Sequence, residues 1–471
     1  MAAKDNGVKI HEVTRVTPSS HSTTAFPLPL TYFDAIWFRF APVERLFFYE
    51  TTELTCDFFN SEIVPKLKHS LSLTLLHYLP LAGSIMWPEE APKPAIYYFP
   101  NDGVSVTVAE SDADFNFLSG NEIREAVKFH PLIPQLPISD DKAEVMAIQI
   151  TLFPNEGFSI GISCHHAALD GKSSTMFIKS WAYICKQLIN KGENPSLLPE
   201  LTPFFDRTVI KDPNGLDMVH LHKWMALAGS DPNTNKRSLK VMPSLVDLNN
   251  LVRATFELTG EDIKKLRDRV LSVSDKVNEN EVKQSKRLHL SSFVLALAYT
   301  FVCVVKSKRE EGNRNVIFGF AADYRSRLHP PIPDNYFGNC VGRLGDAAKV
   351  SDFMEENGVA FVAEKLSDLI KDIDRDVEEG SEEKMGKIME LIKQGATLLT
   401  VAGSTRFNVY GSDFGWGRPK RVEIVSIDRT AAVSLADRRD GGGGVEVGVA
   451  LEKQQMEAFV SHFAHGLKDN N

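Results

Sequence analysis

Apolar side chains alternate with small or polar ones along two neighbouring stretches. Met146, Ile148, Ile150 and Leu152 fall on one face of the first, and Phe158, Ile160, Ile162 and Cys164 on one face of the second. A period of two is that of a strand with one apolar face. Pro154-Asn155-Glu156-Gly157 supplies turn residues between them, so 144–164 is predicted as a β-hairpin. The period then lengthens. Phe177, Trp181, Ile184 and Leu188 recur at helical spacing and predict an amphipathic helix over 172–188. Phe293–Val305 is apolar all round, which predicts a buried helix over 290–306 opening at Ser291 or Ser292. Tyr299 and Thr300 interrupt the run, and it is too short to cross a bilayer. Ala431–Leu435 and Val445–Leu451 flank Arg438-Arg439-Asp440 and four glycines, predicting a second hairpin with a flexible tip. Between 193 and 250 the pattern lapses into Pro, Asn and charge, as in a crossover, and the charge-dense stretch 372–387 reads as a solvated helix or loop. Strands and helices mix without strict βαβ alternation, which predicts an α/β protein of the α+β-like sandwich kind.

Length and charge narrow the choice. A chain of 471 residues exceeds the roughly 250–300 at which one core stops growing, so two domains are expected. The predicted division is 1–210, a linker over 211–250, and 251–471. Hydrophobic residues make up 43%, which excludes a largely disordered chain. A net charge of −9 argues against nucleic acid as a partner, because phosphate binding needs a basic face. Met1–Thr17 is polar, with no apolar core of a secretory signal. The five cysteines are scattered without a CxxC pair, as expected of reduced thiols in the cytosol.

The chemistry concentrates in His165-His166-Ala167-Ala168-Leu169-Asp170-Gly171. His166 shares the parity of Ile160, Ile162 and Cys164, so the strand pattern aims it at the apolar face, just before a glycine-containing turn. An imidazole held there suits the removal of a proton from a hydroxyl at neutral pH. Spacing alone proves little: His465-Gly466-Leu467-Lys468-Asp469 repeats it in a polar terminus and is read as a chance match. Cys164, with apolar neighbours, reads as packing and not as a nucleophile.

The wider pattern resembles the BAHD acyltransferases of plants. His166-Ala-Ala-Leu-Asp170-Gly171 matches the family's HxxxDG, and Asp413-Phe414-Gly415-Trp416-Gly417 matches its DFGWG. LPLTYFD at 28–34, HYLPLAG at 77–83, FDRTVIKDPNG at 205–215 and YFGNC at 336–340 extend the resemblance over nearly the whole chain. The first and last of these look like the clade that acylates flavonoid and phenolic glucosides. The resemblance implies two similar-sized chloramphenicol-acetyltransferase-like domains with a channel between them. His166 would deprotonate the acceptor hydroxyl, which attacks the acyl-CoA thioester directly, with no metal, no bound cofactor and no covalent acyl-enzyme.

The resemblance also implies that Asp170 turns away from the imidazole and pairs with Arg325, leaving Arg327 as the lesser candidate. Asp413 stands with the catalytic candidates, although its motif equally suits a structural role. Gly415 and Gly417 permit tight backbone and close approach. Trp416 is expected under a CoA arm, and Ser404 and Thr405 beside the pantetheine. Ser291 and Ser292 open a helix, where they serve either as a simple N-cap or as a phosphate site. Lys286-Arg287 is a further phosphate candidate. The expected donor is malonyl-CoA and the acceptor the sugar 6-hydroxyl of a glucoside, the expected assembly a monomer. A hydroxycinnamoyl donor is the alternative, and a non-catalytic CoA- or glycoside-binding protein is the alternative of another class. Condensation domains of peptide synthetases share HHxxxDG but lack DFGWG. Some malonyltransferases of the family carry arginine four residues after the motif aspartate; this chain has Ser174 there, so Lys172 is the substitute cation expected for the malonyl carboxylate.

Overall fold

The computed structural model describes residues 7–19, 26–191, 195–227, 235–242, 244, 246–280, 288–373, 387–388 and 390–468. Lys286-Arg287 and nearly all of 372–387 lie outside them. The first half contributes strands β1 (Val8–Val16), β2 (Val43–Glu50), β3 (Val104–Ser111), β4 (Met146–Phe153) and β5 (Gly157–Cys164), then helix α1 (Gly171–Lys191). The second half brings β6 (Leu251–Leu258), helix α2 (Ser292–Lys308), β7 (Asn315–Asp323), β8 (Val341–Lys349), β9 (Val401–Ser404), β10 (Arg421–Ile424), β11 (Val433–Asp437) and β12 (Val445–Glu452). Both predicted hairpins are present. β4 pairs antiparallel with β5 from Met146↔Cys164 to Phe153↔Gly157, and Asn155 takes a positive φ of 66° in the turn. β11 pairs with β12 from Ser434↔Gly448 to Asp437↔Val445, and Gly441 and Gly443 take positive φ at the tip.

Two apolar cores organise the chain. The first packs Phe177, Ile178, Trp181 and Cys185 of α1 against Ile160, Ile162 and Cys164 of β5. The second surrounds α2, which is buried on every side and whose Thr300 hydroxyl is satisfied by the carbonyl of Ala296 at 2.7 Å. The alternation in β5 does not put its polar residues in water. Ser159 and Ser163 are as buried as their apolar neighbours, because a smaller cluster around Leu46, Phe48, Phe115 and Leu132 covers the other face.

The halves exchange strands. The six-stranded sheet runs β1-β3-β4-β5-β2-β10, so a strand from residues 421–424 completes the sheet of the first half. In return Arg124–Glu125 adds to the edge of the β9-β11-β12-β6 sheet. A buried ionic cluster fastens the exchange. Glu423 on β10 accepts from Arg124 at 3.1 Å and Arg253 at 2.9 Å, and Arg253 also meets Asp428 at 3.2 Å. Burial raises the Glu423 pKa, but these guanidinium groups outweigh it and hold the carboxyl at about 2. Nothing in the spacing of these residues along the chain announces that they meet.

Candidate active site

β5 ends at Cys164, and the chain turns over His165–Ala168 into α1. His165 is buried, accepts from the Ala167 amide at Nδ1 (3.3 Å), and burial lowers its pKa to about 3. It is a neutral structural histidine. The His166 ring instead stacks flat on Trp37, with centroids 4.2 Å apart and planes 3° from parallel, and meets the edge of Phe40 at 6.1 Å. Its Nδ1 is enclosed without a hydrogen-bond partner, and Nε2 is left on the open side. Burial lowers the His166 pKa to about 4; its own carbonyl and Asp170 oppose the shift and Arg343 adds to it. The imidazole is therefore neutral at pH 7 and ready to accept a proton.

Asp170 does not touch that ring. It caps α1, accepting from the Ser173 amide at Oδ1 (2.8 Å), while Oδ2 takes the Cys340 amide (3.1 Å) and the guanidinium of Arg325 (2.8 Å). Arg325 is completely buried and also reaches Asp323 (3.0 Å) and the carbonyls of Tyr336 and Gly338 (3.1 Å each). Arg327 donates to the Asp323 carbonyl instead.

The YFGNC segment proves to be the cradle of this turn, a role its sequence did not declare. Ser173 Oγ bonds the Tyr336 and Gly338 carbonyls, Cys340 N–H bonds Asp170, and Asn339 Nδ2 bonds the carbonyl of His166 at 3.0 Å. Asp34, the last residue of LPLTYFD, anchors Asn339 through its amide (2.9 Å) and side chain (3.0 Å). Arg207, in FDRTVIKDPNG, donates to the Phe337 carbonyl at 2.7 Å. Motifs from four places in the chain thus converge on the backbone that carries His166. Asp34 and Asn339 are polar residues set among apolar or aromatic neighbours, but that setting does not say what they touch.

DFGWG converges elsewhere. Asp413 accepts from Lys186 (2.6 Å) and from the amides of Gly415 (2.8 Å) and Gly417 (3.0 Å). Lys186 stands 16 residues beyond Asp170, about 24 Å along α1 at 1.5 Å per residue, so Asp413 lies far along the helix from the turn that carries His166. Phe414 packs edge-on to Trp181 at 4.8 Å and Trp416 edge-on to Phe158 at 6.0 Å, so Trp416 covers the first core. Gly415 has φ of 111°, and a Cβ there would lie 2.6 Å from Ile189. Gly417 also requires positive φ, 97°. The motif is a clasp that holds the second half of the chain to α1.

Ser292 and Thr405 line one cavity of about 330 Å³ together with Arg418, Arg438 and Arg439. The start of the 17-residue α2 adds its positive dipole end. Ser291 is the N-cap of α2, accepting the Val294 amide at 3.3 Å, and Ser404 Oγ accepts the Arg406 amide at 3.2 Å, which leaves each hydroxyl its O–H to donate. The loop between Thr405 and Asn408 joins cavity to histidine turn: a Cβ on Gly171 would lie 2.7 Å from the Phe407 ring. The Lys172 ammonium sits between two carboxylates of its own chain, Asp323 (3.3 Å) and Asp334 (2.8 Å). Cys164 is held as a thiol, its pKa pushed up to about 12 by burial, and His465 is exposed in the last turn of the C-terminal helix.

A neutral histidine in an enclosed turn, joined through the Phe407 loop to a cavity lined by three arginines and two aspartates, fits an acyltransferase that takes its acyl group from a phosphorylated carrier. The Transferase family profile matches residues 6–466. Malonyl-CoA:anthocyanidin 5-O-glucoside-6''-O-malonyltransferase of Arabidopsis thaliana is 46% identical over 474 residues, spanning 98% of this chain and 99% of its own. Phenolic glucoside malonyltransferase 1 of the same plant is 45% identical over 477 residues, spanning 99% of each. The crystal structure of vinorine synthase shares the fold, with a TM-score of 0.67 at 21% identity over 96% of each chain. The chain belongs to the Transferase family, the BAHD acyltransferases, and is an acyltransferase.

Proposed function

We propose that this protein transfers a malonyl group from malonyl-CoA to a sugar hydroxyl, the 6-hydroxyl, of a flavonoid or phenolic glucoside. The observation that carries the chemistry is the neutral His166 ring with Nε2 free on its open side; the donor and acceptor class follow from full-length identity of 45–46% to two glucoside malonyltransferases. Nε2 takes the proton from the acceptor hydroxyl as its oxygen attacks the thioester carbonyl carbon. The tetrahedral intermediate collapses with cleavage of the C–S bond. The thiolate recovers the proton from the imidazolium, giving the ester and free CoA. Asp170, Arg325, Asn339 and Asp34 position the base; they do not exchange protons with it. The cavity at Ser292 and Thr405 suits the CoA phosphates, with Arg418 and Arg439 as the cations that have no carboxylate partner among the described residues. We place the catalytic units at 1–210 and 251–471, joined by 211–250, acting as a cytosolic monomer on small molecules and not on nucleic acid.

His166→Ala should cut turnover by roughly 10²–10⁴ while leaving the fold intact. Near-normal turnover in a folded variant would remove the mechanism. A competition assay with equimolar malonyl-CoA and p-coumaroyl-CoA, read by product mass, tests the donor, and predominant coumaroyl ester would overturn it.

A further inference from the structure

Malonyl-CoA presents a carboxylate one methylene away from the carbon under attack, about 2.5 Å from it by ordinary C–C bond lengths. A desolvated carboxylate needs a cation with donors to spare. Lys172 is paired with Asp323 and Asp334 at a partly exposed position, and Arg325 is buried between Asp170 and Asp323. Arg45 has no carboxylate partner among the described residues, but its guanidinium is closed in. It donates to Thr175 Oγ1 at 2.7 Å, and the cavity beside it holds about 10 Å³, barely the space of one water.

Arg343 differs from all of these. It stands on β8 three residues past Cys340, and alternation along the strand turns it away from Leu344, which is buried in the second core. Its guanidinium lies over the rings of Trp37 and Phe40, 5.7 Å from each centroid. Trp37 is the ring that stacks on His166 at 4.2 Å, so the two separations place the guanidinium carbon no more than 9.9 Å from the imidazole centre. The Arg343 side chain makes no hydrogen bond or ion pair to any described residue, and it is open to solvent. Enough protein nonetheless surrounds it to lower its pKa by desolvation.

We infer that Arg343 is the donor-specificity residue of this enzyme, binding the free carboxylate of the malonyl group while Trp37 and Phe40 hold its guanidinium in place. The inference rests on the malonyl reading above. Stacking leaves the edge of the guanidinium free for a two-pronged grip on the carboxylate. The imidazole centre and the guanidinium carbon lie no more than 9.9 Å apart, close enough for one acyl group to meet both.

The test measures kcat/KM with malonyl-CoA and with acetyl-CoA at one glucoside acceptor, for the wild type, Arg343→Gln and Arg343→Lys. Acetyl lacks the carboxylate and serves as the internal control for folding and for any shift of Trp37. Arg343→Gln should lower the malonyl-to-acetyl ratio ten- to hundred-fold, with Arg343→Lys in between. The preference of the wild type for malonyl-CoA over its neutral methyl ester should collapse in Arg343→Gln. An unchanged ratio, with both donors losing equally and the acceptor KM rising, would assign Arg343 to the acceptor and overturn the inference. A wild type that transfers acetyl but no malonyl would instead remove the donor reading itself, and the inference with it.

Discussion

Asp170→Asn separates a positioning carboxylate from a triad carboxylate. The wild-type side chain faces donors only: the Ser173 amide at Oδ1, and the Cys340 amide and Arg325 at Oδ2. An amide of the same shape must turn its NH₂ toward one of these sets, and it gives up the charge in either orientation. Breaking a buried pair from one side costs about 3–5 kcal/mol. Asp323 stays within 3.0 Å of Arg325, so the lower end, about 3 kcal/mol, applies here. For a unit of 150–250 residues that corresponds to a fall in Tm of about 6–12 °C. The N-cap survives in the orientation that keeps oxygen at Ser173, because Asn caps about as well as Asp. Calorimetry reads the stability, and the pH dependence of kcat/KM reads the base. The variant should lose Tm by this amount, with the acidic limb of its pH profile moved little and not upward. Wild-type stability together with a strong shift of that limb would refute the reasoning and make Asp170 a partner of the imidazole.

With the His166 pKa lowered by burial to about 4, the acidic limb of kcat/KM should lie near 4; a limb near the ordinary histidine value of 6.5 would count against a buried neutral base. The same shift sets the sign for stability. His166 and His165 bind fewer protons folded than unfolded below 6.5, so Tm should fall as pH drops from 6.5 toward 4, seen by scanning calorimetry across that range. Asp413→Ala frees the amides of Gly415 and Gly417, at a cost of about 1–3 kcal/mol in chemical denaturation. Its kcat should fall less than ten-fold, and a loss comparable to that of His166→Ala in a folded protein would restore Asp413 to the catalytic set.

The sequence by itself determined whatever depends on neighbours along the chain. The period of two over 146–164, the turn at Asn155 and the apolar length of 293–305 each fixed a local conformation, because strand, turn and helix are decided within a few residues. His166 was legible as the candidate base from its position at the end of an apolar strand face within HxxxDG. What the tertiary structure alone decided is every contact between segments far apart. Nothing in Asp34, Arg207 or Asn339 says that they brace the turn carrying His166, and Lys172 looked free until Asp323 and Asp334 closed on it. Arg343 is one more charge on a strand until β8 sets it above Trp37. Loop closure costs little more with each doubling of separation, so the chain brings such residues together over hundreds of positions without leaving a local trace. The ring that desolvates His166 and the charge beside it come from 129 residues before it and 177 after it, and no periodicity spans that distance.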